Sequence, residues 1–202
     1  MHEYAIFGHD RSAIGRWIGA GAIVISGGLA HLVAWAENIS GWEAFSKATI
    51  TTGIVYWVLH YIFNKYAWKF LSDEIPDISG KWLAHGRTLA EDGSTRYEWC
   101  SEIGIEQNWK TILIHQKTKH SQSVSYTATI LKKHGPTGGW LLSYSYRNEP
   151  EISMAHELNS HKGYCEIDFD TALKIAQASY FNSGGRRSFG TIELSRIPQE
   201  NT

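Results

Sequence analysis

The stretch Trp17-Ile-Gly-Ala-Gly-Ala-Ile-Val-Ile-Ser-Gly-Gly-Leu-Ala-His-Leu-Val-Ala-Trp-Ala36 contains no Asp, Glu, Lys or Arg. At a rise of about 1.5 Å per residue, a helix over it is roughly 30 Å long, the depth of one bilayer core. Residues 48–63 form a second run free of those four residue types, and Tyr66, Ala67 and Trp68 extend its apolar character. With the connector 37–47 between them, the two runs read as a two-helix transmembrane hairpin. The alternative is a soluble helical hairpin, which would need a polar stripe that helices apolar all round do not have.

Pro76 marks the end of this region, because proline and the residue before it both disfavour continuing a helix. The expected domains are therefore 1–75, an N-terminal lead plus the hairpin, and 76–202, one compact soluble unit. The lead 1–16 is too short to fold alone. Across the chain 19 Lys and Arg nearly cancel 20 Asp and Glu, so no electrostatic footprint for a long nucleic acid is present. Cys100 and Cys165 are the only cysteines and lack CxxC spacing, which signals neither a disulfide framework nor a thiolate metal site. The first run is longer than a signal-peptide core and has no clear small-x-small cleavage site after it, so the hairpin is expected to be retained. Arg11 and Arg16 precede the first span, Lys65 and Lys69 follow the second, and the connector holds one Lys. By the positive-inside rule both termini are cytoplasmic and the protein is multi-pass.

Within the first span Gly15 and Gly19 form a GxxxG that Ala22 and Ser26 continue as a small-xxx-small row. Small residues at this spacing let helices approach closely in lipid. The row serves either assembly between copies or packing of the two spans within one copy. His31 and His60 lie inside the spans, where a neutral imidazole can bond to a neighbouring helix. Trp17, Trp35, Trp42, Trp57 and Trp68 sit mostly near span ends, as an interfacial belt would.

Beyond Pro76, alternating segments recur at 80–88, 96–107, 111–117, 124–132, 140–147, 163–169, 172–181 and 188–196. They are separated by turn chemistry such as Glu91-Asp-Gly-Ser94, Gly135-Pro-Thr-Gly-Gly139 and Asn182-Ser-Gly-Gly185. Eight strands with short connections predict an eight-stranded up-and-down antiparallel β-barrel. One end of such a meander collects Trp82, Trp109, Trp140 and Arg196. Gly80-Lys81-Trp82 with the late Arg196 resembles the GxW start and closing Arg of lipocalin-like barrels, where Trp and Arg plug the closed end. The other end collects Arg87, Tyr97, Trp99, Tyr126, Tyr146, Arg147, Asn148, Tyr180, Asn182, Arg186 and Arg187. Aromatic faces stack on bases and guanidinium groups pair with phosphate, so a rim with both suits a nucleotide-sized anion. The bland reading is that these tyrosines are ordinary strand formers and Arg186-Arg187 a solvated hairpin.

Catalytic patterns are weak. His115, His120, His134, His156 and His161 show no HExxH or His–Cys metal spacing, and no GxSxG elbow or phosphate-binding glycine loop occurs. No catalytic residue, metal or cofactor is assigned. Binding is favoured over turnover, with a membrane-tethered lipocalin-like carrier of an apolar ligand as the alternative and a membrane-anchored phosphodiesterase as the weakest reading.

The layout as a whole resembles the two-transmembrane, β-strand-rich effectors of bacterial cyclic-oligonucleotide antiphage (CBASS) systems. The matching features are the paired spans, the entry Pro76-Asp-Ile-Ser-Gly-Lys-Trp82 and the ending Ser179-Tyr-Phe-Asn-Ser-Gly-Gly-Arg-Arg-Ser-Phe-Gly-Thr-Ile-Glu-Leu-Ser-Arg196. The resemblance implies a cyclic dinucleotide, made by a partner nucleotidyltransferase, as the activating ligand of the barrel. It further implies oligomerisation, disruption of the inner membrane by the helices, death of the infected cell, and no catalysis. It places ligand contacts at Tyr180, Asn182, Arg186 and Arg187, and a clustering surface on the row begun by Gly15 and Gly19. Barrel topology adds Tyr97, Trp99, Tyr146 and Arg147 to the contacts.

Overall fold

A computed structural model of the chain describes residues 1–40, 52–71, 74–118, 120–136, 138–154, 159–184 and 187–198. In chain order it contains β1 (His2–Glu3), β2 (Ala5–Phe7), α1 (Arg11–Ser40), α2 (Thr52–Lys65) and a 3-10 turn (Ala67–Leu71). Eight longer strands follow: β3 (Gly80–Leu89), β4 (Thr95–Gln107), β5 (Thr111–Lys117), β6 (Ser121–Lys132), β7 (Trp140–Pro150), β8 (His161–Phe169), β9 (Ile175–Ser183) and β10 (Phe189–Arg196). Two compact units result, one comprising Met1–Gly8 with Lys69–Thr202, the other His9–Trp68.

In the second unit, α1 starts where Asp10 caps it, its Oδ1 accepting from the Ser12 backbone N–H at 2.9 Å and from the Ser12 hydroxyl at 2.6 Å. Among the described residues α1 is the helix long and apolar enough to cross a membrane, over Arg11–Trp35. Trp17, Ile23, Val24, Leu32 and Trp35 are exposed around it, the pattern of a helix solvated by lipid. Ala22 and Ser26 on α1 and Val55 on α2 are buried, and Ser26 Oγ lies 2.9 Å from Thr52 Oγ1. A Cβ at Gly15 or Gly19 would meet nothing within 4 Å. The small-residue row is thus divided: Ala22 and Ser26 are covered within the chain, while Gly15 and Gly19 stay open. Residues 41–51, with most of the connector and the start of the second run, lie outside the described residues.

The other unit is a closed meander in which each of β3 to β10 pairs antiparallel with the next, and β10 returns to β3 from Phe189↔Leu89 to Arg196↔Trp82. The expected eight-stranded up-and-down antiparallel barrel is therefore present. Period-two alternation turns Trp82, Ala84, Gly86 and Thr88 inward on β3, and Trp140, Leu142, Tyr144 and Tyr146 on β7. β9 begins at Ile175 rather than 172, because Asp170 Oδ1 accepts the backbone N–H groups of Lys174 and Ile175 in a turn where Leu173 has φ 53°. At the closed end the Arg196 guanidinium lies 5.4 Å from the buried Trp82 ring. It donates to the carbonyls of Ser79, of Asp77 at 3.2 Å and of Leu173 at 3.4 Å. Phe169 meets Trp82 edge-on at 5.0 Å.

The N-terminal lead departs from the expected division. β5 and β6 pair directly over His115↔Val124, Gln116↔Ser123 and Lys117↔Gln122. Beyond those pairs the edges are taken by β1, antiparallel to β5, and β2, parallel to β6. Tyr4 and Ile6 are buried there. The Tyr4 hydroxyl donates to the Asn108 carbonyl and accepts from Gln107 Nε2, both at 3.1 Å. His2 Nε2 lies 2.8 Å from Ser125 Oγ. Residues 1–8 are therefore part of the barrel wall, and the boundary expected at 75/76 falls instead at Gly8 and Lys69. The reason is that strand edges left open by a splayed hairpin are satisfied by whichever segment reaches them.

Tyr4→Ala should lower barrel stability by about 3 kcal/mol, as large-to-small core changes do, read by urea unfolding of the full chain in detergent. Glu3→Ala, which removes only an exposed pairing with Lys110, should change it by about 0.5 kcal/mol or less. Equal effects would show that the segment is not seated as described.

Candidate functional site

At the end of the barrel opposite Trp82 and Arg196 lies a cavity of about 690 Å³, within the range of small-molecule sites. Tyr97 and Trp99 on β4, Tyr146 on β7 and Tyr180 and Asn182 on β9 all line it. Five of the eight expected contact residues therefore converge from three strands.

These aromatic rings fit because glycines face them. A Cβ on Gly86 would lie 2.0 Å from the Trp99 ring and one on Gly163 2.3 Å from the Tyr146 ring, while one on Gly190 would lie 2.0 Å from the Arg87 carbonyl oxygen and 2.9 Å from the Tyr180 ring. Trp99 and Tyr180 meet edge-on at 6.1 Å. The Tyr180 hydroxyl lies 2.6 Å from Thr88 Oγ1. The Tyr146 hydroxyl donates to Asn182 Oδ1 at 2.6 Å, and Asn182 Nδ2 donates to Ser188 Oγ at 2.8 Å. The Tyr180 and Tyr146 rings are thus anchored at their polar tips, leaving faces for stacking.

A second wall is polar. Gln116 on β5 donates from Nε2 to Ser101 Oγ at 2.6 Å. Asn148 on β7 donates from Nδ2 to Ser123 Oγ at 2.8 Å and Ser121 Oγ at 3.2 Å. Buried His161 stands beside Asn148, its Nδ1 3.2 Å from the Asn159 carbonyl. Sequence reasoning placed Asn148 at this end but did not single out Gln116, Ser123 or the three glycines. The available signals were polar residues at inward positions of β5 and β6, and glycine inside strands, which marks close approach.

The expected arginines are placed differently. Arg147, one residue from inward-facing Tyr146, is exposed and lies 3.9 Å from Glu149; alternation along the strand carries it to the outer surface. Arg87 likewise pairs outside with Glu193 at 2.8 Å and Glu98 at 3.8 Å. Arg187 is exposed in the β9–β10 connection next to Ser188, a lining residue. Arg186 lies outside the described residues. Among the described residues the cavity is lined by no Lys or Arg.

Burial pushes the Cys165 thiol up to about 12, and burial also raises the Tyr144 hydroxyl well above its ordinary value. Both are protonated at neutral pH, so the cavity floor supplies no thiolate nucleophile. Among the described residues no group of three His, Cys, Asp or Glu could hold a metal ion. The arrangement offers stacking faces and side-chain hydrogen-bonding groups, which is recognition chemistry. Gly86→Ala should displace the Trp99 ring, costing about 1–3 kcal/mol as overpacking does and shifting tryptophan emission; unchanged stability and emission would contradict the placement of that ring.

Comparison with known proteins accords with this geometry. Residues 73–196 match the family model described as "Cap15, cyclic dinucleotide receptor domain", and residues 12–69 match "Cap15, TM helices". CD-NTase-associated protein 15 of Yersinia aleksiciae is 37% identical over 210 residues, covering 97% of this chain and 97% of that protein. The transmembrane match coincides with the long apolar helix α1, and the chain is membrane-associated. A receptor-domain match that spans the eight long strands β3 to β10, a helical match over α1 and α2, and a relative aligned over 97% of both chains place the chain in one group: it belongs to the Cap15 family of CBASS effectors, which join a cyclic dinucleotide receptor domain to transmembrane helices.

Proposed function

We propose that the barrel binds a cyclic dinucleotide made by a partner nucleotidyltransferase, and that the bound protein oligomerises and disrupts the bacterial inner membrane through its helices, killing the infected cell. The observation that carries the reading is the glycine-backed aromatic cavity inside the domain that matches a cyclic dinucleotide receptor. Tyr97, Trp99, Tyr146, Tyr180 and Asn182 contact the bases and sugars. No Lys or Arg lines the cavity among the described residues, so the phosphates lie toward the mouth, where Arg187, exposed next to the lining residue Ser188, pairs with them; Arg186 is kept in the contact set on the resemblance alone. Arg147, on the outer surface, is left out of the contact set. Serines and carboxamides in the lining count against an apolar carrier.

Both termini are cytoplasmic in this reading. The positive flanks, Arg11 and Arg16 before the first span and Lys65 and Lys69 after the second, support that orientation. The ligand favours assembly by binding the assembled form more tightly. The open face at Gly15 and Gly19 is the surface on which helices of different copies meet.

The test is titration of the full chain in detergent micelles with a panel of radiolabelled cyclic dinucleotides, read by gel shift. The full chain is required because residues 1–8 complete the wall. Tight binding to particular panel members is expected, with Trp99→Ala and Tyr180→Ala each weakening it by about 1–3 kcal/mol through lost stacking; no binding by the folded protein would overturn the ligand reading. Gly19→Leu should bind ligand as wild type does yet fail to kill expressing cells; retained killing would reject assembly through that face.

A further inference from the structure

The polar wall carries more hydrogen-bonding capacity than the protein uses. Gln116, Ser123, Asn148 and His161 stand at one level on β5, β6, β7 and β8, each paired in register with the next. Inward-facing carboxamides cost desolvation unless every group finds a partner or water. Gln116 and Asn148 commit only their nitrogens, to Ser101 and to Ser121 and Ser123. Among the described contacts, Gln116 Oε1 and Asn148 Oδ1 have no protein partner, and neither is among the enclosed, unsatisfied atoms; both residues line the cavity. A carboxamide held by its nitrogen presents its oxygen in a fixed direction, so little rotamer entropy is lost when a donor arrives.

Their position relative to the aromatic wall determines what they would touch. Trp99 and Ser101 are two residues apart on the inward face of β4, and Ser101 holds Gln116 on neighbouring β5. The amide therefore stands beside the aromatic platform rather than across from it. A planar base stacked on that platform turns its edge, not its face, toward β5.

We infer that Gln116 and Asn148 read the edge of a base, their carbonyl oxygens accepting N–H groups from a ring with an exocyclic amine. Adenine, cytosine and guanine offer such a group, whereas uracil has only a ring N–H between carbonyls. This assignment rests on the cyclic dinucleotide reading and adds to it which residues choose among bases. The serines act as positioning residues, holding each amide so that its oxygen points inward.

The experiment is the same titration of the full chain, comparing cyclic dinucleotides that contain adenine, cytosine or guanine with the diuridine ligand. Wild type should prefer the amino-bearing ligands. Gln116→Ala and Asn148→Ala should each weaken those by about tenfold, while the diuridine affinity changes by about twofold or less, so that selectivity collapses. Ser123→Ala should give a smaller change in the same direction. Asn148→Asp keeps an acceptor facing the cavity and can accept from both serines, so it should retain the preference, and it serves where the alanine variant fails to fold. Equal weakening of all ligands, a wild-type preference for diuridine, or loss of preference in Asn148→Asp would overturn the assignment alone. Failure of wild type to bind any panel member would overturn the ligand reading, and this assignment with it.

Discussion

An eight-stranded barrel encloses an interior of a size that ordinary side chains fill, and everything at the mouth of this one depends on that limit. At the closed end the space is filled: Trp82 and Phe169 are buried against each other and capped by Arg196, with buried Trp140 opposite Phe169 in register. Toward the mouth, Gly86, Gly163 and Gly190 occupy inward positions, and the volume their side chains would have taken is shared between three aromatic rings and the cavity. A side chain at any of these positions would displace a ring or collide with backbone. Binding capacity and core stability thus draw on the same cross-section at opposite ends.

The same economy of space shapes the wall. A hairpin whose strands part after three pairs leaves two unsatisfied edges, and residues 2–7 close them with backbone hydrogen bonds and two buried side chains. The consequence reaches beyond packing, because the chain leaves the barrel at Gly8 and re-enters it at Lys69. The helical unit is therefore tied to the receptor unit at both of its ends.

Charge is distributed against the simplest picture of an anion site. Arg87 and Arg147 stand on the outer surface beside carboxylates, and Arg196 is committed to backbone carbonyls at the closed end. What lines the cavity is rings, hydroxyls, carboxamides and imidazoles, with no Lys or Arg among the described residues, and in the proposed reading their geometry discriminates between ligands. In the proposed reading cations act at the mouth, where water still solvates them and pairing with phosphate costs less desolvation.

Much of this was legible in the residue order because it depends on near neighbours in the chain. The charge-free run from Trp17 to Ala36, the two-residue alternation of each strand, the glycine turns and the Trp82–Arg196 pairing are properties of short segments or of their order, and local sterics and hydrophobicity determine them. The up-and-down order of the strands placed Tyr97, Trp99, Tyr146, Tyr180 and Asn182 at one end, and the alternation, read strictly, would have turned Arg147 outward. What only the tertiary structure decided was which strangers in sequence meet: residues 2–7 with β5 and β6, Gly86 with Trp99, Ser101 with Gln116, Asn148 with Ser123. Those encounters follow from cross-strand register and from a gap in the wall, which exist only once the sheet has closed on itself.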